Sequence, residues 1–216
     1  MRLPRRLEVR LGSREGESPG PIDLSSSHLE SKLSALRPKR ALFGWAPRRA
    51  AVAVLVRYLS ERPEVLLMRR AERQGDRWSG HVSFPGGRSS QADGSLLDTA
   101  IRETLEEVGI DLTRVARLIG RLDELTAVAG GEALPMSITP FVFLLSDPTA
   151  DCALSDEAVS VFWLPLAEVA SGALSGTHVW RFGPLDVELP CWRFEGHLIW
   201  GLTHRMLTQL LRELSR

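Results

Sequence analysis

Cysteine is nearly absent from this chain of 216 residues: Cys152 and Cys191 stand alone, without a CxxC pair or a Cys/His cluster. Their isolation excludes a disulfide framework and a cysteine zinc site, and it favours a reducing compartment. Long apolar runs are also missing, since stretches such as 50–56 and 141–145 fall far short of the ~20 residues that a membrane span requires. We therefore expect a soluble, cytoplasmic protein with no membrane partner.

Charge of one sign is not in excess either, because 27 basic residues balance 27 acidic ones. The chain thus has no bulk field to hold a polyanion, and nucleic acid is not an expected partner. Lysine is almost absent, with 25 Arg and 2 Lys, a bias that we attribute to genomic base composition. Apolar residues make up 44% and charged residues 25%, which is typical of a folded globular domain.

The chain divides into a lead-in and one domain. Residues 1–27 are rich in Gly, Pro and Ser and lack an apolar targeting core, which predicts a mobile, untargeted tail. Residues 28–216 show no repeat and read as a single α/β domain with a mixed sheet. Strands are predicted over 49–58, 64–69, 81–84, 116–122, 137–144 and 159–164, with weaker ones over 179–182, 187–189 and 192–194, and helices over 28–36, 96–108, 166–170 and 202–214.

The helix predicted over 96–108 is the best-defined element. Ser95 with Asp98 resembles a capping box, and Gly109 suits a left-handed stop. An apolar face is predicted at helical spacing by Leu97, Ile101, Leu105 and Val108. We expect the acidic residues of this helix to lie opposite that face.

Three carboxylates cluster on the same helix. Glu103, Glu106 and Glu107 stand at i, i+3 and i+4, so Glu106 and Glu107 each project within about 60° of Glu103 around the helix. Such a group is usually a solvated face, and its members repel unless a cation neutralises them. Mg²⁺ takes oxygen ligands and completes its shell with water and substrate phosphate, so this pattern suits phosphate chemistry.

A glycine pair upstream strengthens that interpretation. Gly86 and Gly87 end a predicted strand just before the acidic helix and allow backbone to approach an ion or a phosphate closely. Arg102 precedes the first glutamate and can orient a carboxylate by a bidentate pair or form a surface ion pair.

The segment from Phe84 to Ile110 resembles the Nudix box, the signature GX5EX7REUXEEXGU in which U is apolar. Its second half is met by residues 102–110 except at Thr104, where the family usually has an apolar residue. The spacing from Gly87 to Arg102 is one residue longer than the signature. The first Glu is replaced by Gly94, with Asp93 adjacent. Because that Glu is largely structural in the family, we expect activity to survive.

A second resemblance points to the coenzyme A diphosphatase branch of the Nudix hydrolases. The upstream pattern of that branch is matched at Leu66, Leu67, Arg70, Ala71, Gly80 and Phe84 to Gly87, while Met68 departs from it. The longer glycine-to-Arg102 spacing and the segment 199–207 are also similar to that branch.

These resemblances imply an α/β/α sandwich with a mixed sheet between helices and a metal-dependent pyrophosphatase. Mg²⁺ or Mn²⁺ would be held by Glu103 and Glu107, with Glu106 as a further ligand or as the base for water. The substrate would be coenzyme A or acyl-coenzyme A, and the products 4′-phosphopantetheine and adenosine 3′,5′-bisphosphate. The substrate phosphates would be met by Gly86, Gly87 and arginines chosen from Arg69, Arg70, Arg73 and Arg77, of which Arg70 and Arg77 are preferred.

Other assignments stay open at this point. A further carboxylate ligand could come from Glu132, Asp156 or Glu157. His81 is a weaker candidate for substrate binding. One tryptophan is a candidate to stack an adenine, chosen from Trp78, Trp180, Trp192 and Trp200. The alternatives are a Nudix pyrophosphatase for ADP-ribose, dinucleotides or noncanonical nucleoside triphosphates, and a catalytically silent Nudix-fold binding module. The sequence leaves open whether the protein is a monomer or a homodimer.

Overall fold

The computed structural model describes residues 22–41, 48–75, 78–129, 132–182 and 185–216. The helices are α1 (Ser26–Ala35), α2 (Leu96–Val108), α3 (Leu112–Val115), α4 (Leu166–Ala170) and α5 (Gly201–Leu214). The strands are β1 (Arg48–Leu59), β2 (Arg62–Arg70), β3 (Val82–Ser83), β4 (Gly86–Arg88), β5 (Ala116–Arg121), β6 (Leu125–Ala129), β7 (Glu132–Leu145), β8 (Ala158–Pro165), β9 (Ser175–Phe182), β10 (Leu185–Phe194) and β11 (His197–Trp200).

The first eight described strands form one mixed sheet. Its main order is β3-β2-β1-β7-β5, while β4 pairs with β1, β6 with β7 and β8 with β2. The β1–β7 pair is parallel and the other pairs are antiparallel. Strands β9, β10 and β11 form a separate antiparallel sheet. The predicted mixed sheet is therefore confirmed.

Each face of the large sheet carries its own apolar core, because successive strand residues point to opposite faces. On one face, Ala51 and Met68 pack with Ala100 and Val108 of α2. The other face packs against α1 and α5 through a second cluster that includes Val54, Leu67, Leu29, Leu33, Leu207 and Leu210. Helices thus cover both faces of the sheet, and the predicted α/β/α sandwich is confirmed.

Helix α2 has the predicted bounds, but its buried face differs from the prediction. Ser95 accepts a hydrogen bond from the backbone N–H of Asp98, and Gly109 ends the helix at φ 73°. Thr104 is fully buried, and its hydroxyl tolerates burial because it donates a hydrogen bond to the Ala100 carbonyl at 2.7 Å. Leu105, by contrast, is 48% exposed. The predicted apolar face was therefore wrong at Leu105.

The boundary predicted at residue 27 lies too late in the chain. Helix α1 begins at Ser26, with Ser25 as its N-cap, and Ile22 and Leu24 pack against the core. The Tyr58 hydroxyl donates a hydrogen bond to the Leu24 carbonyl at 2.8 Å. Residues 22–27 are thus part of the folded domain, and the rest of the predicted tail, residues 1–21, lies outside the described residues.

No helix in the described part of the chain is long and apolar enough to cross a membrane.

Candidate active site

The site is built where α2 crosses β4, the short strand that holds both glycines. Gly86 and Gly87 pair with Val52 and Ala51 of β1. Gly86 has φ 149°, and a Cβ on it would lie 2.3 Å from the Ala51 carbonyl oxygen. A Cβ on Gly87 would lie 2.4 Å from the carboxyl carbon of Glu103. Position 86 therefore requires glycine because of its backbone, whereas a larger residue at position 87 would displace the Glu103 carboxyl group that lies over it.

Glu107 is the buried carboxylate of the site, with 2% of the residue exposed. Its Oε2 accepts a hydrogen bond from the Gly86 N–H at 2.7 Å, and its Oε1 lies 3.5 Å from Nη1 of Arg70. Burial raises the pKa of Glu107 to about 7, although the Gly86 N–H and Arg70 both favour the ionised form. The site thus holds a carboxylate whose charge is incompletely compensated.

Glu103 lies beside it, over Gly87, with 16% of its side chain exposed. Its Oε1 accepts a hydrogen bond from Nη1 of Arg102 at 2.8 Å. Burial raises the pKa of Glu103, while Arg102 opposes the rise and the charge of Glu106 adds to it. Two adjacent carboxylates are therefore partly desolvated at the glycine pair.

Glu106 differs from both, since 57% of its side chain is exposed and its Oε2 lies 3.0 Å from Nη1 of Arg102. The prediction that all three carboxylates form one patch opposite the apolar face was therefore wrong. Because residues four apart share a helix face, Glu107 lies on the sheet-facing side with Glu103 above the glycines, while Glu106 turns to solvent.

Arg102 is held in place by a residue to which the sequence assigned no role. Asp93 accepts from Nε and Nη2 of Arg102 at 2.8 and 2.9 Å, and also from the Thr99 hydroxyl and the Ser90 N–H. These donors, Arg102 first, hold the pKa of Asp93 well below its usual range. Asp93 could have been singled out from the sequence, because it stands next to Gly94, the position at which the signature has its first Glu. The bidentate pair of Arg102 is thus with Asp93, while Glu103 accepts a single hydrogen bond from its Nη1.

The upstream arginines are placed differently from one another. Arg70 contacts Glu107, as described above. Arg73 donates to Oε1 of Glu157 at 3.1 Å, and Arg69 lies 3.5 Å from Oε1 of Glu72. Arg77 lies outside the described residues. The structure therefore brings Arg70 to Glu107, while Arg69 and Arg73 contact other acidic side chains.

One of the downstream acidic candidates lies near the site. The charge of Glu157 contributes to the raised pKa of both Glu103 and Glu107. Its loop contacts the end of α2 through the Ser155 N–H, which donates to the Glu107 carbonyl at 3.1 Å. Asp156 is exposed to solvent, and the side chain of Glu132 is not among those described.

These residues suit a hard divalent cation by their donor chemistry, because Mg²⁺ and Mn²⁺ prefer carboxylate oxygens. A cation beside Glu103 and Glu107 would offset the desolvation that raises both pKa values. Among the described residues, no group of three His, Cys, Asp or Glu side chains is already gathered as a metal site. Glu106 pairs with Arg102 at the surface and therefore does not join Glu103 and Glu107 as a third clustered carboxylate.

Comparison with known proteins identifies the family. The NUDIX domain model matches residues 47–181. An uncharacterized protein of Schizosaccharomyces pombe is 38% identical over 57% of this chain, and the match spans 43% of that relative. Uncharacterized Nudix hydrolases NudL from Pectobacterium atrosepticum and an Enterobacter strain are 31% and 30% identical, over 76% and 89% of this chain and 82% and 96% of their own lengths.

Solved structures similar to this chain include Caenorhabditis elegans Ap4A hydrolase, with 24% identity, a TM-score of 0.44 and coverage of 57% of this chain and 84% of that one. A MutT/nudix family protein from Enterococcus faecalis has 18% identity and a TM-score of 0.48, with coverage of 79% and 63%. Because the domain model matches more than half of the chain and includes the carboxylates, the glycine pair and Arg102, this chain belongs to the Nudix family and is a Nudix hydrolase.

Proposed function

We propose that this Nudix hydrolase cleaves the diphosphate of coenzyme A or an acyl-coenzyme A, giving 4′-phosphopantetheine, or its acylated form, and adenosine 3′,5′-bisphosphate. The observation that carries the proposal is the convergence of Glu103 and Glu107 on the glycine pair, with Arg70 against Glu107. Divalent metal ions are generally used by Nudix hydrolases, and the proposed ligands are Glu103, Glu106 and Glu107.

The proposed roles follow from where each side chain lies. Bound Mg²⁺ or Mn²⁺ would lower the pKa of the water that it holds and would neutralise charge on the diphosphate. Glu107 is locked to the Gly86 N–H and is the rigid member of the ligand set. Glu106 is exposed and can turn from Arg102 toward substrate, as a further ligand or as acceptor of the proton from attacking water. No protein nucleophile is needed in this scheme.

The substrate assignment rests on the upstream motif. Arg70 belongs to the segment that resembles the coenzyme A branch, and its guanidinium contacts Glu107. Residues of that motif therefore border the carboxylates at which the diphosphate would be cleaved. Arg70 is the described arginine best placed for the diphosphate, since guanidinium groups match phosphate oxygens in a bidentate way. Arg77 remains a proposed contact for the 3′-phosphate.

A substrate panel tests the proposal directly. The purified chain is incubated with Mg²⁺ or Mn²⁺ and coenzyme A, dephospho-coenzyme A, acetyl-coenzyme A, ADP-ribose or a dinucleotide, and the products are separated chromatographically. We expect 4′-phosphopantetheine from coenzyme A and no turnover after chelation. Cleavage of ADP-ribose or dinucleotides without cleavage of coenzyme A would overturn the substrate assignment. Turnover of no compound by folded protein would favour the binding module.

A further inference from the structure

A second concave site lies apart from α2, between the β2–β3 edge and the three-stranded sheet. Its volume is about 670 Å³, within the usual range for small-molecule sites. The walls are rich in rings: Trp180 and Trp200, with imidazoles from His81, His178 and His197. The metal and phosphate chemistry proposed above uses none of these rings.

The rings are arranged around Trp200. The centroids of His81 and His178 lie 5.1 and 4.8 Å from that of Trp200, and the Trp180 centroid lies 6.2 Å away. The ring planes are tilted by 41° to 58°, so the neighbours surround Trp200 at an angle and do not stack flat on it. His178 and Trp180 are two apart on β9 and therefore project from one face of the small sheet. Strand pairing thus gathers several aromatic surfaces around one cavity.

Polar groups accompany the rings. Glu195, in the turn before β11, and Arg69, on β2, both line the cavity. The Arg69 side chain is 44% exposed and pairs at 3.5 Å with Glu72, whose side chain is 78% exposed. The cavity therefore offers ring faces, hydrogen-bonding imidazole nitrogens, one carboxylate and one guanidinium.

This cavity and the carboxylate site flank the same end of β2. Arg69 and Arg70 are successive residues of that strand, so their side chains leave opposite faces of the sheet. Arg70 contacts Glu107, whereas Arg69 lines the aromatic cavity. The two sites are thus joined through consecutive residues of one strand.

We infer that this cavity binds the nucleobase of the diphosphate substrate, a purine ring stacked on Trp180 or Trp200 with its polar edge toward the imidazoles and Glu195. The inference rests on the proposed function in that it assigns the base and the diphosphate of one substrate to the two sites. Aromatic rings bind nucleobases by stacking, and a guanidinium favours the attached phosphate. A quaternary ammonium ligand also suits an aromatic cage, but Arg69 at the wall opposes a cation.

Binding of AMP in the presence of EDTA tests the inference without hydrolysis. The indole N–H signals of the full chain are followed by NMR during titration, and the Trp180 and Trp200 signals are identified by their loss in Trp180→Phe and Trp200→Phe. We expect shifts in the Trp180 and Trp200 signals and a Kd raised roughly 5- to 150-fold in Trp180→Ala, the loss associated with one base–aromatic stack. Trp180→Phe should retain most of the affinity. Val179→Ala is the matched control, because Val179 is its neighbour on β9 and 54% exposed.

Several outcomes would overturn the inference. These are the absence of AMP-induced shifts in the two tryptophans, equal binding of ribose 5-phosphate, displacement of AMP by tetramethylammonium, and unchanged affinity in Trp180→Ala. If Trp180→Ala does not fold, His178→Ala and the wild-type shifts decide the question. Failure here is distinct from failure of the proposed function: hydrolysis of coenzyme A without AMP binding removes only the base site, and AMP binding without hydrolysis of coenzyme A removes only the substrate assignment.

Discussion

The Glu107 carboxylate accepts a hydrogen bond from the backbone N–H of Gly86 at 2.7 Å, which ties the acidic helix to the glycine strand. This bond joins residues 21 positions apart and holds Glu107 in a buried place where its pKa rises to about 7. The helix thus contributes a fixed carboxylate, while Glu106 on the same helix remains at the surface.

Replacing the fixed carboxylate tests its proposed role as a metal ligand. Glu107→Gln should lower turnover roughly a thousandfold or more, because a metal centre contributes several kcal/mol to such reactions. The melting temperature without metal should change little at neutral pH, since a carboxylate whose pKa is raised by burial destabilises the fold in its ionised form. Steady-state rates and thermal unfolding check both expectations. Glu168→Gln, at an exposed position of α4, is the control, and a near-native rate in Glu107→Gln would remove the metal assignment.

Gly87→Ala probes the space beneath Glu103. The new Cβ would overlap the Glu103 carboxyl group, which sits at the end of a flexible side chain and can move aside. We expect activity to fall by roughly 100-fold through misplacement of that carboxylate, with only a small change in stability. Gly176→Ala is the matched control, because its Cβ would lie at an ordinary 3.6 Å from Sγ of Cys191. Equal activity of both variants would mean that the position of Glu103 does not matter for catalysis.

Asp93 offers a test of how Arg102 is positioned. Asp93→Asn should reduce the free energy of unfolding by about 2 kcal/mol, because it weakens a bidentate charge-assisted pair that is largely shielded from water. Activity should also decline, since Arg102, once released from Asp93, would no longer hold Glu103 and Glu106 in their present positions. Urea unfolding and rate measurements decide the outcome. Asp186→Asn breaks the exposed pair with Arg181 and should change stability less. An equal or larger loss in that control would contradict the prediction.

Local signals allowed much of the fold to be predicted. Helix α2 was placed at its observed ends because Ser95 and Gly109 carry the capping signals in the sequence itself. Strands β1 and β2 were located by their apolar runs. Short strands such as β4 and β11 were missed because two to four residues with glycine or aromatic side chains have no period of their own, and only their partners make them strands. The buried face of α2 was misjudged because Thr104 hides its hydroxyl in a bond to Ala100.

The identity of the site residues could be predicted from the sequence, but most of the contacts that they make could not. The spacing of the glutamates indicated a shared helix, but it could not show that Arg102 would draw Glu106 outward while Gly86 anchors Glu107. The Asp93–Arg102 pair depends on how the loop before α2 folds back on the helix. The proximity of Glu157 to the carboxylates likewise depends on tertiary packing at the end of α2.

His204 gives the fold a pH dependence whose direction can be worked out. On α5 its ring lies against Trp192, with centroids 4.0 Å apart, and burial lowers its pKa to about 4. The unfolded chain, with a His pKa near 6.5, binds the proton first, so this contribution to stability is complete above that pH and is lost as the pH falls toward 4. Because the ring is partly exposed, we expect a loss on the order of 1 kcal/mol.

Urea unfolding at several pH values between 4 and 7.5 checks this expectation by comparing the chain with His204→Gln. The variant lacks the titrating ring, so its free energy of unfolding should fall less over this range than that of the parent chain. Loss of the Trp192 contact lowers the stability of the variant equally at every pH and does not affect this comparison. Carboxylates that titrate in the same interval are common to both proteins and cancel in the difference. Parallel stability curves for the two proteins would show that His204 is not held neutral by its burial against Trp192.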